Sequence, residues 1–86
     1  MNTFADDLEV ALATQVKVEL AERDMSQAEL AEAVGIGRPA LNRYLKGHQS
    51  MPMPVFFAVA QAFGLSPRAL MEAAEARIAR RADRTA

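Results

Sequence analysis

The sequence contains no cysteine and only one histidine among its 86 residues. It can therefore form no disulfide, no thiolate metal site and no histidine cluster. It also lacks an apolar run of about 18 residues, which a membrane-spanning helix needs, and two aspartates stand near the N-terminus, where a secretory signal would carry positive charge. We therefore expect a cytoplasmic protein with no metal and no membrane partner.

Acids are missing from the middle of the chain. The formal net charge is −1, yet residues 33–71 contain no aspartate or glutamate. The cations of that stretch are Arg38, Arg43, Lys46 and Arg68. Residues 1–32 hold eight acids against two bases, and residues 72–86 are mixed. Blocks of charge are often only solvated surface, but this distribution favours an anionic partner that the net charge alone would argue against.

Strand-like alternation is also absent, whereas alanine, leucine and glutamate are abundant. The sequence predicts one compact all-α domain over residues 1–86, with a frayed tail at 82–86. Five helices are expected, at about residues 4–23, 26–34, 37–46, 54–63 and 67–81. The first has apolar residues spaced by four, which is typical of a core-facing stripe; they are Leu8, Leu12, Val16 and Leu20.

Local chemistry sets the limits of the middle helices. Ser26 and Glu29 have the spacing of a capping box, so a helix begins there. Gly35 and Gly47 can each adopt the left-handed conformation that ends a helix. Pro39 is tolerated because the first turn of a helix has free amides.

The third helix has two chemically different sides. At about 100° per residue, five polar, cationic or proline positions share an arc of roughly 140°. They are Arg38, Pro39, Asn42, Arg43 and Lys46. The opposite arc is formed by Ala40, Leu41, Tyr44 and Leu45. Arginine and asparagine are donors suited to the edges of guanine and adenine, so this helix is a candidate for contact with DNA bases.

The second and third helices have the spacing of a helix-turn-helix. Two helices that cross steeply need a small residue at their closest approach, a residue that can turn left-handed, and an aliphatic residue that seats one on the other. Ala31, Gly35 and Leu41 fit these three requirements.

The run MSQAELAEAVGIGRPALNRYLKG (25–47) resembles the helix-turn-helix of the lambda-repressor/Cro-like, or XRE, family, and PVFFAVAQAFGLSPRAL (54–70) is similar to its fourth and fifth helices. The resemblance covers about residues 16–71. It implies a compact five-helix domain that binds operator DNA as a symmetric dimer and regulates transcription.

The resemblance also implies residue roles. The positions that face bases are Arg38, Pro39, Asn42 and Arg43. The resemblance places Gln27 and Lys46 at the DNA backbone, and we add Gly37, Tyr44 and His48 as further candidates for backbone contact. For Arg43, phosphate contact or simple solvation are alternatives, and Tyr44 is assigned mainly to packing. The sequence departs from the family pattern at Gly37 and Pro39, where small hydroxyl residues are common, and at Asp24, where glycine usually ends the first helix.

The sequence does not support two other kinds of site, a dinucleotide-binding loop and a catalytic or effector site. GIGRPA (35–40) satisfies the pattern G-x-G-x-x-A, but the dinucleotide fingerprint requires a preceding strand, and a helix is predicted here. No nucleophile, acid–base pair or effector pocket is readable, so we expect neither an enzyme, nor a cofactor, nor a small-molecule effector.

Four large apolar residues in and after the proline-bracketed loop exceed what one short helix buries; they are Met51, Met53, Phe56 and Phe57. The candidates for a dimer contact are Met51, Met53, Phe56, Leu70 and Ile78, with core packing alone as the alternative.

Taken together, these features predict a small stand-alone repressor of phage or plasmid type, with its third helix in the major groove of a pseudo-palindromic operator. The alternative is an antitoxin-like or adaptor protein whose main role is binding a protein partner.

Overall fold

The computed structural model describes the backbone of residues 3–85 and the side chains of residues 6–81. Over that range the chain forms five α-helices, which confirms the predicted all-α fold. They are α1 (Thr3–Glu22), α2 (Gln27–Val34), α3 (Arg38–Leu45), α4 (Met53–Ala62) and α5 (Pro67–Thr85). Helix α5 continues past its predicted end at Arg81. Ala86 lies outside the described residues, and fraying of residues 82–86 stays a prediction.

The inward sides of the helices form a single core. α1 packs along α5 and against α3, while α2 packs on both α3 and α4. The largest fully buried side chains are Val16, Leu30, Leu41, Leu45, Val59 and Leu70. Leu12 and Leu20 of the predicted α1 stripe are buried too, whereas Leu8 is half-buried. The inward side of α3 is thus held against the core by its contacts with α1 and α2.

Two residues predicted at a dimer contact belong to this core instead. Phe56 is 4% exposed and Leu70 is fully buried. On α4, Phe56 lies on the same side as Val59 and Ala60, both buried, and on α5 Leu70 lies one turn before the buried Ala74. Because these side chains stabilise the single chain, neither is available to a second copy, and we correct that part of the prediction.

A row of hydrogen bonds joins α1 to α5 and to the end of α4. The Arg77 Nε donates to Gln15 Oε1 (2.6 Å), and Gln15 Nε2 donates to Glu19 Oε2 (2.7 Å). Arg23 binds the other Glu19 oxygen and also donates to the Phe63 carbonyl (2.9 Å). Gln15 is only 7% exposed, and a buried amide destabilises the fold unless its polar atoms are bonded. The row therefore satisfies a polar group inside the α1–α5 contact.

The Glu19 carboxylate makes the fold sensitive to acid. Burial raises its pKa, but hydrogen bonds from Arg23 and Gln15 lower it more, so the pKa lies below its ordinary value of 4.5. Since the folded state has the lower pKa, the ionised group stabilises the fold above about pH 4.5, and this contribution is lost as the pH falls through the folded pKa. Glu19→Gln should lower the free energy of unfolding by about 1.5 kcal/mol at neutral pH. Urea unfolding at several pH values measures both effects.

The acid part of this prediction has a direct control. Glu22→Gln changes an exposed acid of the same helix and should leave the pH dependence as it is in the unmodified protein. Glu19→Gln should instead lose stability less steeply below pH 4.5. If the free energy of unfolding of the unmodified protein and of Glu19→Gln fell in parallel with pH, another group would be responsible for the loss of stability in acid.

Asp24 holds the left-handed conformation that ends α1, with a φ of +50°. This conformation lets the Met25 N–H donate back to the Leu20 carbonyl (2.9 Å). A residue with a Cβ is strained there, and a negative charge is unfavourable at a helix C-terminus. Asp24→Gly should therefore raise the free energy of unfolding by about 1 kcal/mol, and Asp24→Asn, which removes only the charge, should raise it by less. Unchanged urea midpoints in both variants would contradict this account.

Candidate nucleic-acid interface

The helix-turn-helix is seated by the residues that the spacing singled out. Ala31 of α2 is 3% exposed, and Leu41 of α3 is fully buried beside Leu30. Gly35 has a φ of +83°, and its N–H and that of Ile36 both donate to the Ala31 carbonyl (2.9 and 3.1 Å). A side chain at Gly35 would strain this conformation. The turn therefore depends on glycine, and it fixes α3 relative to α2.

Helix α3 divides as its periodicity predicts. The inward side is formed by Ala40, Leu41, Tyr44 and Leu45, which are buried or half-buried. The outward side carries Arg38, Pro39, Arg43 and Lys46, which are exposed, with Asn42 half-buried beside them. The guanidinium groups predicted to contact bases are therefore left uncovered by the part of the chain that the structure describes, and the Asn42 amide is partly exposed.

Gln27 lies across from the start of α3. It lines one shallow depression together with Arg38, Pro39 and Asn42. Gln27 is the first residue of α2 and lies within the predicted capping box. In that box the Ser26 hydroxyl accepts from the Glu29 N–H (3.0 Å), and the Ser26 N–H donates to the Glu29 carboxylate (2.8 Å). That backbone hydrogen bond lowers the Glu29 pKa, so the box is intact at neutral pH. The glutamine and three predicted base-facing residues thus share one surface.

The start of α3 has no side-chain cap. Its N-cap residue is Gly37, whose φ of −69° any residue can adopt. A Cβ added there would meet only Pro39 Cδ, at 3.6 Å, which is ordinary contact. The fold therefore does not require glycine at this position. What the glycine removes is a hydroxyl that could have capped the helix or donated to DNA.

The chain reverses direction immediately after α3. Gly47 has a φ of +76°, and the His48 N–H donates to the Arg43 carbonyl (3.0 Å). His48 is exposed. Lys46 lies beside α1, where it lines a depression with Lys17. Sequence reasoning missed Lys17, because nothing in the local pattern links it to α3.

Arg43 is exposed and has a side-chain partner. Its Nε donates to Gln49 Oε1 at 3.2 Å. The same loop approaches the acidic end of α1, since Gln49 lines a depression with Asp6 and Glu9. Even so, among the side chains of residues 6–81 no carboxylate forms an ion pair with a cation of α3. The positive charge of this surface is therefore available to an external anion.

Comparison with protein families agrees with this geometry. A helix-turn-helix family model matches residues 16–70, more than half of the chain. The chain belongs to the XRE helix-turn-helix family. The comparison with curated proteins found no match.

A solved structure shows the same arrangement of helices. The fold of this helix-turn-helix protein is similar to that of the clp gene regulator ClgR from Corynebacterium glutamicum, with a TM-score of 0.84. The match covers 91% of this chain and 83% of that chain, at 23% sequence identity. At this identity the likeness establishes the fold alone.

In the residues that the structure describes, each helix is too short or too polar to span a bilayer.

Away from α3, the helix-turn-helix protein leaves large apolar side chains uncovered on α4. Met53 is 63% exposed and Phe57 is 52% exposed, one helical turn apart. Met51 and Ile78 of the predicted dimer set are half-buried and pack against the core. Phe57 was not in that set. On α4, the apolar surface that remains open to another chain is therefore the Met53–Phe57 face.

Proposed function

We propose that this chain is a sequence-specific regulator of transcription that binds double-stranded DNA, and that it acts as a small stand-alone repressor. The observation that carries the proposal is the outward side of α3, whose exposed guanidinium groups form no ion pair with a carboxylate of residues 6–81 and stand beside the half-buried Asn42 amide. Arginine donors fit O6 and N7 of guanine, and an asparagine amide fits N6 and N7 of adenine. An exposed α3 of this composition suits the major groove.

In this proposal, some residues around α3 contact bases and others contact the phosphate backbone. Arg38, Asn42 and Arg43 contact base edges, and Pro39 makes apolar contact beside them. Phosphate contacts come from Gln27, Gly37, Tyr44, Lys46 and His48, with Lys17 added because it lies beside Lys46. Phosphate contacts hold the helix in register and supply the salt-dependent part of the affinity, whereas base contacts supply the selectivity.

The proposed repressor acts as a two-fold dimer in the cytoplasm. Two copies of α3 about 34 Å apart reach successive major grooves on one side of a pseudo-palindromic site. Occupying such a site blocks access of other proteins to the same DNA, which is the simplest way for a helix-turn-helix domain to repress. The proposed dimer surface is the Met53–Phe57 face of α4.

Charge on that face is expected to separate the dimer. Phe57→Asp places a carboxylate in the proposed apolar contact and should convert dimers to monomers in sedimentation experiments, with little change in the thermal midpoint, because Phe57 is 52% exposed. Ala79→Asp adds the same charge at an exposed position of α5 and serves as the control. If Ala79→Asp gave monomers and Phe57→Asp did not, the contact would lie on α5 instead.

The central experiment is selection of bound duplexes from a random pool at two salt concentrations. We expect enrichment of a two-fold symmetric site and a steep loss of affinity at the higher salt, because several phosphate contacts release counterions. Enrichment of an asymmetric site would remove the dimer from the proposal. If no duplex were enriched, sequence-specific binding itself would be refuted.

A second candidate function is that of an antitoxin-like or adaptor protein that binds another protein. It is favoured by a depression between α1 and α5, where Val10, 50% exposed, lies beside Arg77 and Arg80. An apolar centre with a cationic border fits an acidic partner segment. Val10→Ser, which adds no charge beside Lys17 and Lys46, should weaken capture of a stoichiometric partner and leave duplex binding unchanged if this role is the main one.

A further inference from the structure

Gln49 occupies a defined position beside Arg43. The Gly47 turn brings the loop back so that the His48 N–H bonds the Arg43 carbonyl (3.0 Å), and Gln49 Oε1 then accepts from Arg43 Nε (3.2 Å). The backbone and the side chain of the same arginine are thus both bonded from this loop. Neither Gln49 nor Arg43 is covered by other segments of the described chain.

This hydrogen bond determines which donors of Arg43 remain free. A guanidinium carries five N–H groups in a planar fork. When Nε–H is bonded to Gln49, the four N–H groups on Nη1 and Nη2 remain, and two of them, one on each nitrogen, point forward side by side at the end of the side chain. That end donates two parallel hydrogen bonds, a geometry that fits O6 and N7 of one guanine. The alternative approach through Nε and one Nη is blocked.

The acceptor, Gln49 Oε1, belongs to an uncharged amide, so the hydrogen bond leaves the positive charge of Arg43 uncompensated. A carboxylate at this position would bind the guanidinium more strongly but would cancel its charge close to DNA phosphates. Asp6 and Glu9 line the depression that contains Gln49, yet neither pairs with Arg43. An amide therefore orients the arginine without weakening its attraction to DNA.

We propose that Gln49 is a positioning residue that determines base selectivity, by holding Arg43 end-on toward a guanine. The inference rests on the proposed DNA-binding function and names a residue that the helix-turn-helix pattern does not include. Gln49 acts through Arg43, so its effect is confined to the base pair that Arg43 contacts.

The test uses the full chain and the duplex enriched by selection. The base pair of Arg43 is first identified as the one at which Arg43→Ala loses preference. Gln49→Ala should reduce the preference at that pair by about three- to tenfold, the value of one solvent-exposed hydrogen bond, and leave the other pairs and the salt dependence unchanged. In an Arg43→Ala background, Gln49→Ala should cause no further loss. Ser50→Ala, at the next exposed loop position, should change neither property.

Gln49→Glu separates orientation from charge. It keeps the acceptor, so the preference at the Arg43 pair should be retained, while affinity for every duplex falls and the salt dependence flattens because one positive charge is cancelled. Thermal unfolding of both variants should match the unmodified protein, since Gln49 is exposed.

Three results would overturn the inference. They are an unchanged preference in Gln49→Ala, an equal loss at every base pair, and a full additional loss in the Arg43→Ala background. If the unmodified protein enriched no duplex, the proposed function would fail and the inference with it. If it enriched a site and only the Gln49 results failed, the DNA-binding proposal would stand without this residue.

Discussion

Leu41→Ala is expected to lower the free energy of unfolding by about 2–5 kcal/mol, the range for a leucine removed from a close-packed core. Leu41 is fully buried where α3 sits on α2, so its loss leaves a cavity at the centre of the helix-turn-helix. Small domains have only about 5–15 kcal/mol in total, so much of the stability would be lost. Urea unfolding measures the change, and alanine's high helix propensity means that helix formation is not the cause.

The same substitution should weaken DNA binding without touching the proposed contacts. With Leu41 shortened, α3 is no longer held at one angle to α2, and the donors on its outward side lose their common orientation. Leu41→Met conserves most of the volume and should recover most of both properties. A loss of less than 1 kcal/mol in Leu41→Ala would show that the seat of α3 does not depend on this contact.

The parts of the fold that local chemistry controls could be predicted from the sequence. The capping box of Ser26 and Glu29, the left-handed turn at Gly35 and the seat at Leu41 each involve residues close in the chain, so spacing alone places them. The strained end of α1 at Asp24 also follows from residue type. The family resemblance is carried by these same positions.

Assigning Phe56 to a dimer surface was wrong although a local signal existed. Phe56, Val59, Ala60 and Phe63 follow the spacing i, i+3, i+4, i+7 of a core-facing stripe. Phe57 lies off that stripe and is the exposed aromatic residue. The predicted start of α4, at about residue 54, is one residue from the observed start at Met53, so the helical spacing was enough to place Phe56 in the core.

Other features of the candidate site depend on contacts between distant segments. Gln49 meets Arg43 only because the loop turns back at Gly47, and Lys17 joins Lys46 only because α1 packs beside the end of α3. No spacing rule links residues so arranged. Contacts of this kind require the tertiary structure, and they supply the positioning residue and the additional cation of the proposed interface.

Arg43→Ala is expected to abolish preference at one or two base pairs, with a loss of selectivity of about 10- to 100-fold there, as expected for one bidentate arginine–guanine contact. Arg43 is the exposed cation in the middle of the outward side of α3, so no neighbouring donor replaces it. Competition between the enriched duplex and single-base variants measures the loss. Because Arg43 is solvent-exposed, the thermal midpoint should stay close to that of the unmodified protein.

Lys46→Ala is the matched control, since it also removes one exposed cation from the same surface. A phosphate contact carries no base information, so this variant should weaken binding to every duplex by a similar factor and reduce the salt slope by about one. Arg43→Ala is thus expected to lose selectivity among duplexes, whereas Lys46→Ala is expected to lose affinity for all of them. If Arg43→Ala behaved like Lys46→Ala, Arg43 would be a phosphate ligand, and the base-facing surface of α3 would have to be carried by Arg38 and Asn42.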